Sequence, residues 1–293
     1  MEIRTLRYFL AVAREENMTR AAETLHVTQP TLSKALKSLE EELGTSLFTR
    51  HSFSIRLTPE GNLLRDRAED LLGMAERIER EFGSLDDVKG GDLYLGLAES
   101  YQIRSLAAEI REFKRSYPGL RYHITSGDTE QVIDKLDKGL LDFAVLAETP
   151  DYRKYESVVF SEPDTWGLVL RRDHPLAEKE KISAEDLIGV PLFCSEQGWE
   201  KDIRPWAGEK FTELSLEGSF RLSYNASLFA KEGLGCLLTF SDIIDTSSES
   251  GLIFRPLTPK LTTPLYLIWK KHPVFSPIAD RFLQRVLKWK SLR

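Results

Sequence analysis

The chain has 293 residues, with 40 lysines and arginines, 46 aspartates and glutamates, and a formal net charge of −6 at pH 7. This length exceeds one average domain and suits a small head joined to a larger body. The acidic balance argues against a general nucleic-acid binder. It leaves room for a local basic surface, because binding depends on how charge is distributed.

Cysteine usage and hydropathy indicate where the protein works. The two cysteines, Cys194 and Cys236, lie far apart in the sequence and suggest no disulfide framework, so we expect a reducing cytoplasm. Residues 1–4 lead directly into an amphipathic helical pattern, and we expect no signal peptide. No apolar stretch approaches the length needed to cross a bilayer, so we expect no membrane partner.

Residues 19–43 predict two helices joined by a tight turn. Ala21, Ala22 and Leu25 share one face of the first helix. Pro30 suits the first turn of the second helix, where its missing N–H costs nothing. The apolar face of that second helix consists of Leu32, Ala35, Leu36, Leu39 and Leu43. The pattern is typical of a DNA-binding helix-turn-helix, and an ordinary amphipathic helical hairpin is the alternative.

The outward face of the second helix favours the DNA-binding interpretation. It carries hydrogen-bonding and cationic side chains and no acid before Glu40, which is the composition of a recognition helix for double-stranded DNA. We expect cations to contact phosphates, and Gln29 and its neighbours to approach bases. The predicted DNA-binding residues are Thr19, Arg20, Thr28, Gln29, Pro30, Thr31, Ser33, Lys34, Lys37, Arg50 and Arg56.

A short two-stranded wing is predicted after this motif. Ile55 and Leu57 alternate with Arg56, and polar turn residues separate them from the apolar pair at 47–48. Arg50 and Arg56 would then lie beside the sugar–phosphate backbone or a minor groove.

A long helix follows the wing. Thr58 is the predicted N-cap, Pro59 occupies the first helical position, and Glu60 lies in the positive first turn. A heptad pattern along this helix predicts dimerisation, with packing against its own domain as the alternative. The heptad residues are Leu64, Ala68, Leu71, Ala75, Ile78, Phe82 and Leu85.

The N-terminal region resembles the LysR-type transcriptional regulators. The resemblance lies in segments 6–13 (LRYFLAVA), 21–33 (AAETLHVTQPTLS), 39–48 (LEEELGTSLF) and 57–61 (LTPEG), and it is specific in order and spacing. One departure is the wing segment 51–55, where such proteins more often carry extra arginines. Phosphate contacts would therefore depend more heavily on Lys34, Lys37, Arg50 and Arg56.

Beyond a glycine-bearing hinge at residues 86–91, strands and helices alternate, which predicts parallel βαβ units. The predicted strands are 92–98, 120–125, 142–147, 166–170, 191–193, 236–240 and 264–269. The predicted helices are 102–116, 128–138, 225–232 and 275–289. The remainder of the chain resembles, more loosely, the two-lobed effector domains of LysR-type regulators and periplasmic binding proteins.

The expected fold class is thus a multidomain α/β chain. It has an N-terminal winged helix-turn-helix (1–58), a long linker helix for dimerisation (59–89) and a two-lobed α/β effector-binding domain (90–293). The resemblance implies that residues 92–161 and 265–293 form lobe I and that 162–264 form lobe II. It also implies a homodimer that forms a homotetramer through the α/β bodies.

A ligand in such an architecture belongs at the carboxyl ends of strands, near helix N-termini. Ser100 and Thr129 suit hydrogen bonding to a ligand, although capping their own helices is the alternative. Glu99 and Asp128 disfavour a carboxylate neighbour, so an effector with a donor or cationic group is as compatible as a plain acid. The predicted effector-binding residues are Ser100, Tyr101, Gln102, Asp128, Thr129, Ser195 and Gln197, with the loop 221–225 as a further candidate.

The sequence gives little support for metal binding, cofactor binding or catalysis. The five histidines show no metal-ligand spacing, and the glycines at 233 and 235 suit a helix stop better than a cofactor loop. No nucleophile elbow is present, although a Ser–His–Asp set is not excluded by sequence. Cys194 is either a buried small residue or an oxidant sensor. We expect no metal, no cofactor and no catalytic residues.

The sequence therefore predicts a sequence-specific transcriptional regulator controlled by a small-molecule effector bound between two lobes. The rival interpretation is a solute-binding protein, or an enzyme built on the same cleft, with N-terminal helices used only for self-association. The polar, acid-free start of the recognition helix argues against the rival.

Overall fold

The computed structural model describes residues 1–50, 55–83 and 89–291. The chain divides into two compact units, Met1–Gly83 and Ser84–Arg293. The predicted wing tip at 51–54 and the heptad residue Leu85 lie outside the described residues.

The N-terminal unit is a winged helix-turn-helix, as predicted. Its elements are α1 (Ile3–Glu15), α2 (Met18–Thr24), α3 (Gln29–Leu43), β1 (Phe48–Arg50), β2 (Ile55–Leu57) and α4 (Pro59–Gly83). The two strands pair antiparallel, with Phe48 opposite Leu57. The apolar faces of α1, α2 and α3 converge on a core around Phe9 and Leu36, which are almost completely covered. Burial of this face fixes which side of α3 points to solvent.

Polar contacts define the turn of the helix-turn-helix. The Asn17 side chain caps α2 by accepting hydrogen bonds from the backbone N–H groups of Thr19 and Arg20. The Thr28 hydroxyl caps α3 by accepting from the N–H of Thr31. Between the two helices His26 adopts a positive φ of 53°, which reverses the chain. The sequence pattern gave no sign that a histidine would occupy this conformation.

The wing is tied to the helices on both sides. The Glu40 carboxylate on α3 accepts hydrogen bonds from the N–H groups of Leu47, at 2.7 Å, and Phe48, at 3.3 Å. Thr58 caps α4 by accepting from the N–H of Gly61 at 2.9 Å, as predicted. A Cβ at Gly61 would lie 2.2 Å from the Leu47 carbonyl oxygen, so only glycine permits this approach.

The long helix α4 has two apolar faces. Ala68 is fully buried and packs in the core of its own unit with Leu72, while the partly buried Leu64 packs against that core. Ala68 is therefore not available to a second helix, and the alternative of packing within the domain applies to the first part of the heptad. Further along, Leu71 and Ile78 are 49% and 47% exposed.

The first sheet of the second unit has five strands in the order β4–β3–β5–β13–β6. The strands are β3 (Gly90–Leu97), β4 (Gly119–Ser126), β5 (Phe143–Leu146), β6 (Tyr155–Val159) and β13 (Tyr266–Lys270). Strand β3 is parallel to β4 and β5, whereas β13 is antiparallel to β5 and β6. The associated helices are α5 (Ile103–Ser116), α6 (Thr129–Asp137) and α10 (Pro277–Ser291).

The second sheet follows the order β11–β7–β10–β8–β9, with β12 paired to β7. Its strands are β7 (Asp164–Arg171), β8 (Pro191–Ser195), β9 (Ser215–Phe220), β10 (Cys236–Phe240), β11 (Leu252–Pro256) and β12 (Thr262–Thr263). Its helices are α7 (Glu196–Gly198), α8 (Arg204–Ala207) and α9 (Ser223–Lys231). Strands β8, β9 and β10 are parallel, and β7 is antiparallel to its neighbours. The predicted parallel strands are thus present in both sheets, and each sheet also contains antiparallel strands that the alternation of strands and helices did not predict.

The chain passes from the first sheet to the second immediately before β7, and a buried carboxylate marks this point. Asp164 is 1% exposed, and neither of its carboxylate oxygens has a hydrogen-bond partner among the described residues. Burial raises the pKa of Asp164 to about 6, and the nearby carboxylate of Asp242 adds to the effect. The folded chain thus holds this proton more tightly than the unfolded chain, up to about pH 6.

The pKa of Asp164 predicts a pH dependence of stability. A pKa raised from 3.8 to about 6 contributes stability below pH 3.8 that is lost as the pH rises through 6. Asp164→Asn removes this loss. The free energy of unfolding of the variant, relative to that of the wild type, should therefore rise by about 3 kcal/mol between pH 4 and pH 8. Urea unfolding of the second unit across this range measures the difference. The matched control Glu162→Gln, at an exposed position two residues away, should stay close to the wild type. Parallel curves for Asp164→Asn and wild type would refute the assignment.

Candidate nucleic-acid interface and ligand cleft

The solvent face of α3 carries most of the predicted DNA-binding side chains. Gln29, Pro30, Thr31, Lys34 and Lys37 are all exposed. Lys34 has no ion-pair partner among the described residues, whereas Lys37 lies 3.6 Å from Glu41. The N-terminal half of this face therefore presents hydrogen-bonding groups and one uncompensated cation, a combination suited to base edges and phosphates.

Other predicted residues of this surface have positioning contacts. Thr28 shares a hydroxyl–hydroxyl hydrogen bond of 2.8 Å with Thr31, so both belong to the cap of α3. Arg20 donates to the Glu15 carbonyl at 2.7 Å, next to the exposed Thr19. Ser33 is half-buried. These contacts fix the start of α3 and its neighbouring helix.

The wing adds a second basic element to this unit. Arg56 is exposed on β2, opposite Thr49, whose hydroxyl donates to the Arg56 carbonyl at 3.2 Å. Arg50 ends β1, and its side chain lies outside the described part of the structure.

A cavity of about 680 Å³ in the second unit is lined from both sheets. Of the predicted effector-binding residues, Asp128, Thr129, Ser195 and Gln197 line it. The described lining does not include Ser100, Tyr101 and Gln102, although their predecessor Glu99 belongs to it. The strand ends predicted to meet at a cleft thus do so, one residue earlier after β3 than expected.

Local hydrogen bonds explain these positions. The Ser100 hydroxyl accepts from the N–H of Gln102 at 3.0 Å and so closes its own turn. The Tyr101 hydroxyl accepts from the Arg104 guanidinium at 2.9 Å. The cap of α6 is the Asp128 carboxylate, which accepts from Gln131 N–H at 2.9 Å, and Thr129 is the first residue of the helix.

Three polar contacts join the two sides of the cavity. Glu99 accepts a 2.5 Å hydrogen bond from the N–H of Ser223, the first residue of α9. Asp128 and Arg221 form an ion pair of 2.9 Å. Glu148 and Lys201 form the third contact. In each case the first sheet supplies the carboxylate and the second supplies the donor.

Glu148 and Lys201 were not predicted as cavity residues from the sequence. Glu148 follows β5 as Glu99 follows β3, so its place after a buried strand was an available signal. Lys201 lies in a π-helical turn, Trp199–Ile203, that continues α7 into α8. The periodicity of apolar residues in the sequence does not predict a π-helical turn.

The cavity wall contains polar groups that the protein satisfies incompletely. The Thr129 hydroxyl is buried and has no hydrogen-bond partner among the described residues. Asp202 accepts from the Thr263 hydroxyl at 2.6 Å, and burial raises the pKa of Asp202. Apolar parts of the wall include Trp166 and Phe240, which contact edge to face with centroids 4.6 Å apart.

Both cysteine thiols are buried in the second unit and unbonded to each other. Burial raises the pKa of Cys194 far above its usual range, and it raises the pKa of Cys236 to about 11. Among residues 1–50, 55–83 and 89–291, no group of three or more metal-ligating side chains is arranged to hold a metal ion. The described helices also include none with the length and apolar character of a membrane span.

Family models match both units. Residues 3–62 match the bacterial regulatory helix-turn-helix protein, lysR family, and residues 86–291 match the LysR substrate binding domain. The DNA-binding transcriptional dual regulator OxyR of Escherichia coli K12 is 33% identical, covering 97% of this chain and 93% of that protein. The hydrogen peroxide-inducible genes activator of Pectobacterium carotovorum is also 33% identical, over 68% of this chain and 65% of that protein's length.

Solved structures share the fold over nearly the whole chain. The crystal structure of CbnR, a LysR family transcriptional regulator, gives a TM-score of 0.78 at 23% identity and covers 99% of both chains. Full-length CbnR complexed with its target DNA gives a TM-score of 0.76. Because one family model matches residues 3–62 and the other matches residues 86–291, the chain belongs to the LysR family of DNA-binding transcriptional regulators.

Proposed function

We propose that this regulator reads its operator with the exposed face of α3 and the wing, and that a small molecule in the 680 Å³ cavity controls the reading. The observation that carries the proposal is the solvent face of α3, where hydrogen-bonding residues and Lys34 stand without an acid before Glu40. In this assignment Gln29, Pro30, Thr31 and Ser33 approach bases or position the helix. Lys34, Lys37, Arg50 and Arg56 contact phosphates.

The domain boundaries proposed from sequence go with these roles. Residues 1–58 bind DNA, residues 59–89 pair two chains, and residues 90–293 bind the effector between lobes 92–161 with 265–293 and 162–264. The cavity lining contains no histidine to activate its serines among the described residues, and we assign no catalytic role to it. A regulator that binds the chromosome works in the cytoplasm.

Lys34 and Gln29 should affect DNA binding differently. Lys34→Ala should weaken binding similarly on all sequences and lower the salt slope, log Kd against log salt, by about one per DNA-binding head. Gln29→Ala should instead relax the preference at one base pair, a loss of about 1–3 kcal/mol of discrimination. Fluorescence anisotropy at several salt concentrations measures both, on a duplex selected from a random pool by the wild type.

The control for this experiment is Lys181→Ala, which removes an exposed lysine from the second unit. Its salt slope should equal that of the wild type. Equal slopes for Lys34→Ala and the wild type would contradict the phosphate assignment, and an absence of any selected duplex would refute DNA reading altogether.

Dimerisation is proposed through the exposed apolar stripe of α4, defined as Leu71, Ile78 and Phe82. These side chains are 49%, 47% and 71% exposed, a considerable apolar surface for three residues of one helix. Ala75 lies between them and is half-buried. A second copy of the helix would cover this stripe and bring two DNA-binding heads to one operator.

Charged substitutions on the stripe should separate the subunits. Because each change occurs twice in a dimer, Ile78→Asp or Phe82→Asp should raise the dimer dissociation constant at least about a hundredfold. Sedimentation velocity at micromolar concentration reports the change. Leu63→Asp is the matched control, because Leu63 is 61% exposed on the same helix but lies off the stripe. A Phe82→Asp protein that sediments like the wild type would exclude this interface.

The effector is proposed to be a bound molecule rather than an oxidant acting on cysteine. Thiolates, not thiols, react with peroxides, and burial disfavours the thiolate at both Cys194 and Cys236. In this proposal the two cysteines of this chain do not sense peroxide, although some relatives are named as hydrogen peroxide-inducible genes activators.

Thiol reactivity should therefore be suppressed by folding. At pH 7.5 the native protein should react with iodoacetamide at least about a hundred times more slowly than the protein in guanidinium chloride, since a pKa near 11 leaves little thiolate. Quantifying alkylation by mass spectrometry gives both rates. The double variant Cys194→Ser with Cys236→Ser should bind DNA like the wild type before and after peroxide treatment. Rapid alkylation of either native cysteine would restore the oxidant-sensor interpretation.

A further inference from the structure

The charge of the cavity wall is strongly unbalanced. Six carboxylates and two cations are present among the described lining residues. The acids are Glu99, Asp128, Glu130, Glu148, Glu196 and Asp202, and the cations are Lys201 and Arg221. A ligand entering this space therefore meets a net negative wall.

Both cations form ion pairs with carboxylates of the cavity wall. Lys201 pairs with Glu148, and Arg221 pairs with Asp128 at 2.9 Å. An anionic ligand that bound either cation would draw it away from its carboxylate. Both cations are more than half exposed, so this cost is modest, and the excess of carboxylates on the wall is what disfavours a carboxylate ligand.

Three of the remaining acids form no ion pair within the described part of the chain, although the charge of Lys201 partly offsets the burial that raises the pKa of Asp202. Among the described residues, Glu130, Glu196 and Asp202 have no ion-pair partner; Glu196 accepts a hydrogen bond from Ser219 at 3.0 Å, and Asp202 accepts one from Thr263. Carboxylates accept hydrogen bonds and never donate when ionised. Spare acceptor capacity of this kind suits a ligand that brings donors and positive charge.

A separate observation points to a ligand at the same wall. Thr129 is only 7% exposed, and its buried hydroxyl oxygen has no hydrogen-bond partner among the described residues. A buried polar group without a hydrogen bond costs free energy that a bound donor or acceptor would recover. Glu130 is the next residue, so this unmet group and an uncompensated acid are adjacent at the start of α6.

The apolar part of the wall completes the ligand's description. Trp166, Phe220 and Phe240 line the cavity together with Leu238 and Ile243. Aromatic faces attract organic cations, and apolar walls bind the hydrocarbon part of a ligand. A volume of about 680 Å³ holds a small metabolite of this composition.

We propose that the effector is a small organic cation, an amine or guanidine with an apolar or aromatic portion. Its charged end is held by the carboxylates around Glu130 and Glu196, and its donors reach the hydroxyl of Thr129. This inference rests on the proposed function, in which this cavity is the effector site.

Matched pairs of probes test the charge requirement on the full chain. Tyramine, tryptamine and benzylamine are compared with 4-hydroxyphenylacetate, indole-3-acetate and benzoate, which keep the aromatic portion but replace the aminomethyl group by a carboxylate. Thermal shift and isothermal titration calorimetry should show binding by at least one amine, and its carboxylate partner should bind at least about tenfold more weakly. Tighter binding by the carboxylates, or no binding by any of the three amines at 10 mM, overturns the proposal.

Variants locate the site of binding. Glu130→Gln and Glu196→Gln should each weaken binding of the amine about tenfold, as loss of a charge-assisted hydrogen bond does. Glu178→Gln, an exposed residue outside the lining, should leave the affinity unchanged. Equal affinity for all four proteins places the amine elsewhere and refutes the inference. DNA binding is measured separately, so a protein that binds amine but no DNA would refute the proposed function and leave the ligand class standing.

Discussion

Three polar contacts cross the cavity of the effector body. Each joins a carboxylate from the first sheet to a donor from the second: Glu99 to Ser223 N–H, Asp128 to Arg221, and Glu148 to Lys201. Ion pairs in a partly covered site are sensitive to any new charge that enters it. A ligand that interacts with these carboxylates would change the balance of the closed arrangement, and only such a differential interaction can shift a conformational equilibrium.

The DNA-binding unit is organised by a different kind of constraint. Here capping and close backbone approach hold the reading surface, through Thr28 at the start of α3, Glu40 at β1 and Gly61 against the Leu47 carbonyl. These contacts leave the N-terminal half of α3 free for a duplex. A rigid head with an exposed reading face, and a body whose closure is balanced by charge, are the two parts a ligand-controlled regulator requires.

Local signals in the sequence predicted the winged helix-turn-helix and the Thr58–Pro59 helix start, because caps and apolar periodicity act over a few residues. Strand direction is set by pairing between distant segments, so the antiparallel direction of β7 and β13 was not predicted from the sequence. The heptad spacing correctly predicted that Ala68 is buried. It could not distinguish packing against the same chain, which the structure shows, from packing against a second copy of the helix. Lys201 escaped notice because a π-helical turn, invisible to periodicity, places it opposite Glu148.

We propose that the polar contacts across the cavity set how the regulator holds its DNA. A charge-swap cycle at Glu148 and Lys201 tests this most directly, read by hydroxyl-radical footprinting on the selected operator. Glu148→Lys and Lys201→Glu should each change the extent or spacing of the protected DNA. Combining the two substitutions should return the footprint toward that of the wild type. Identical footprints for all four folded proteins would contradict it.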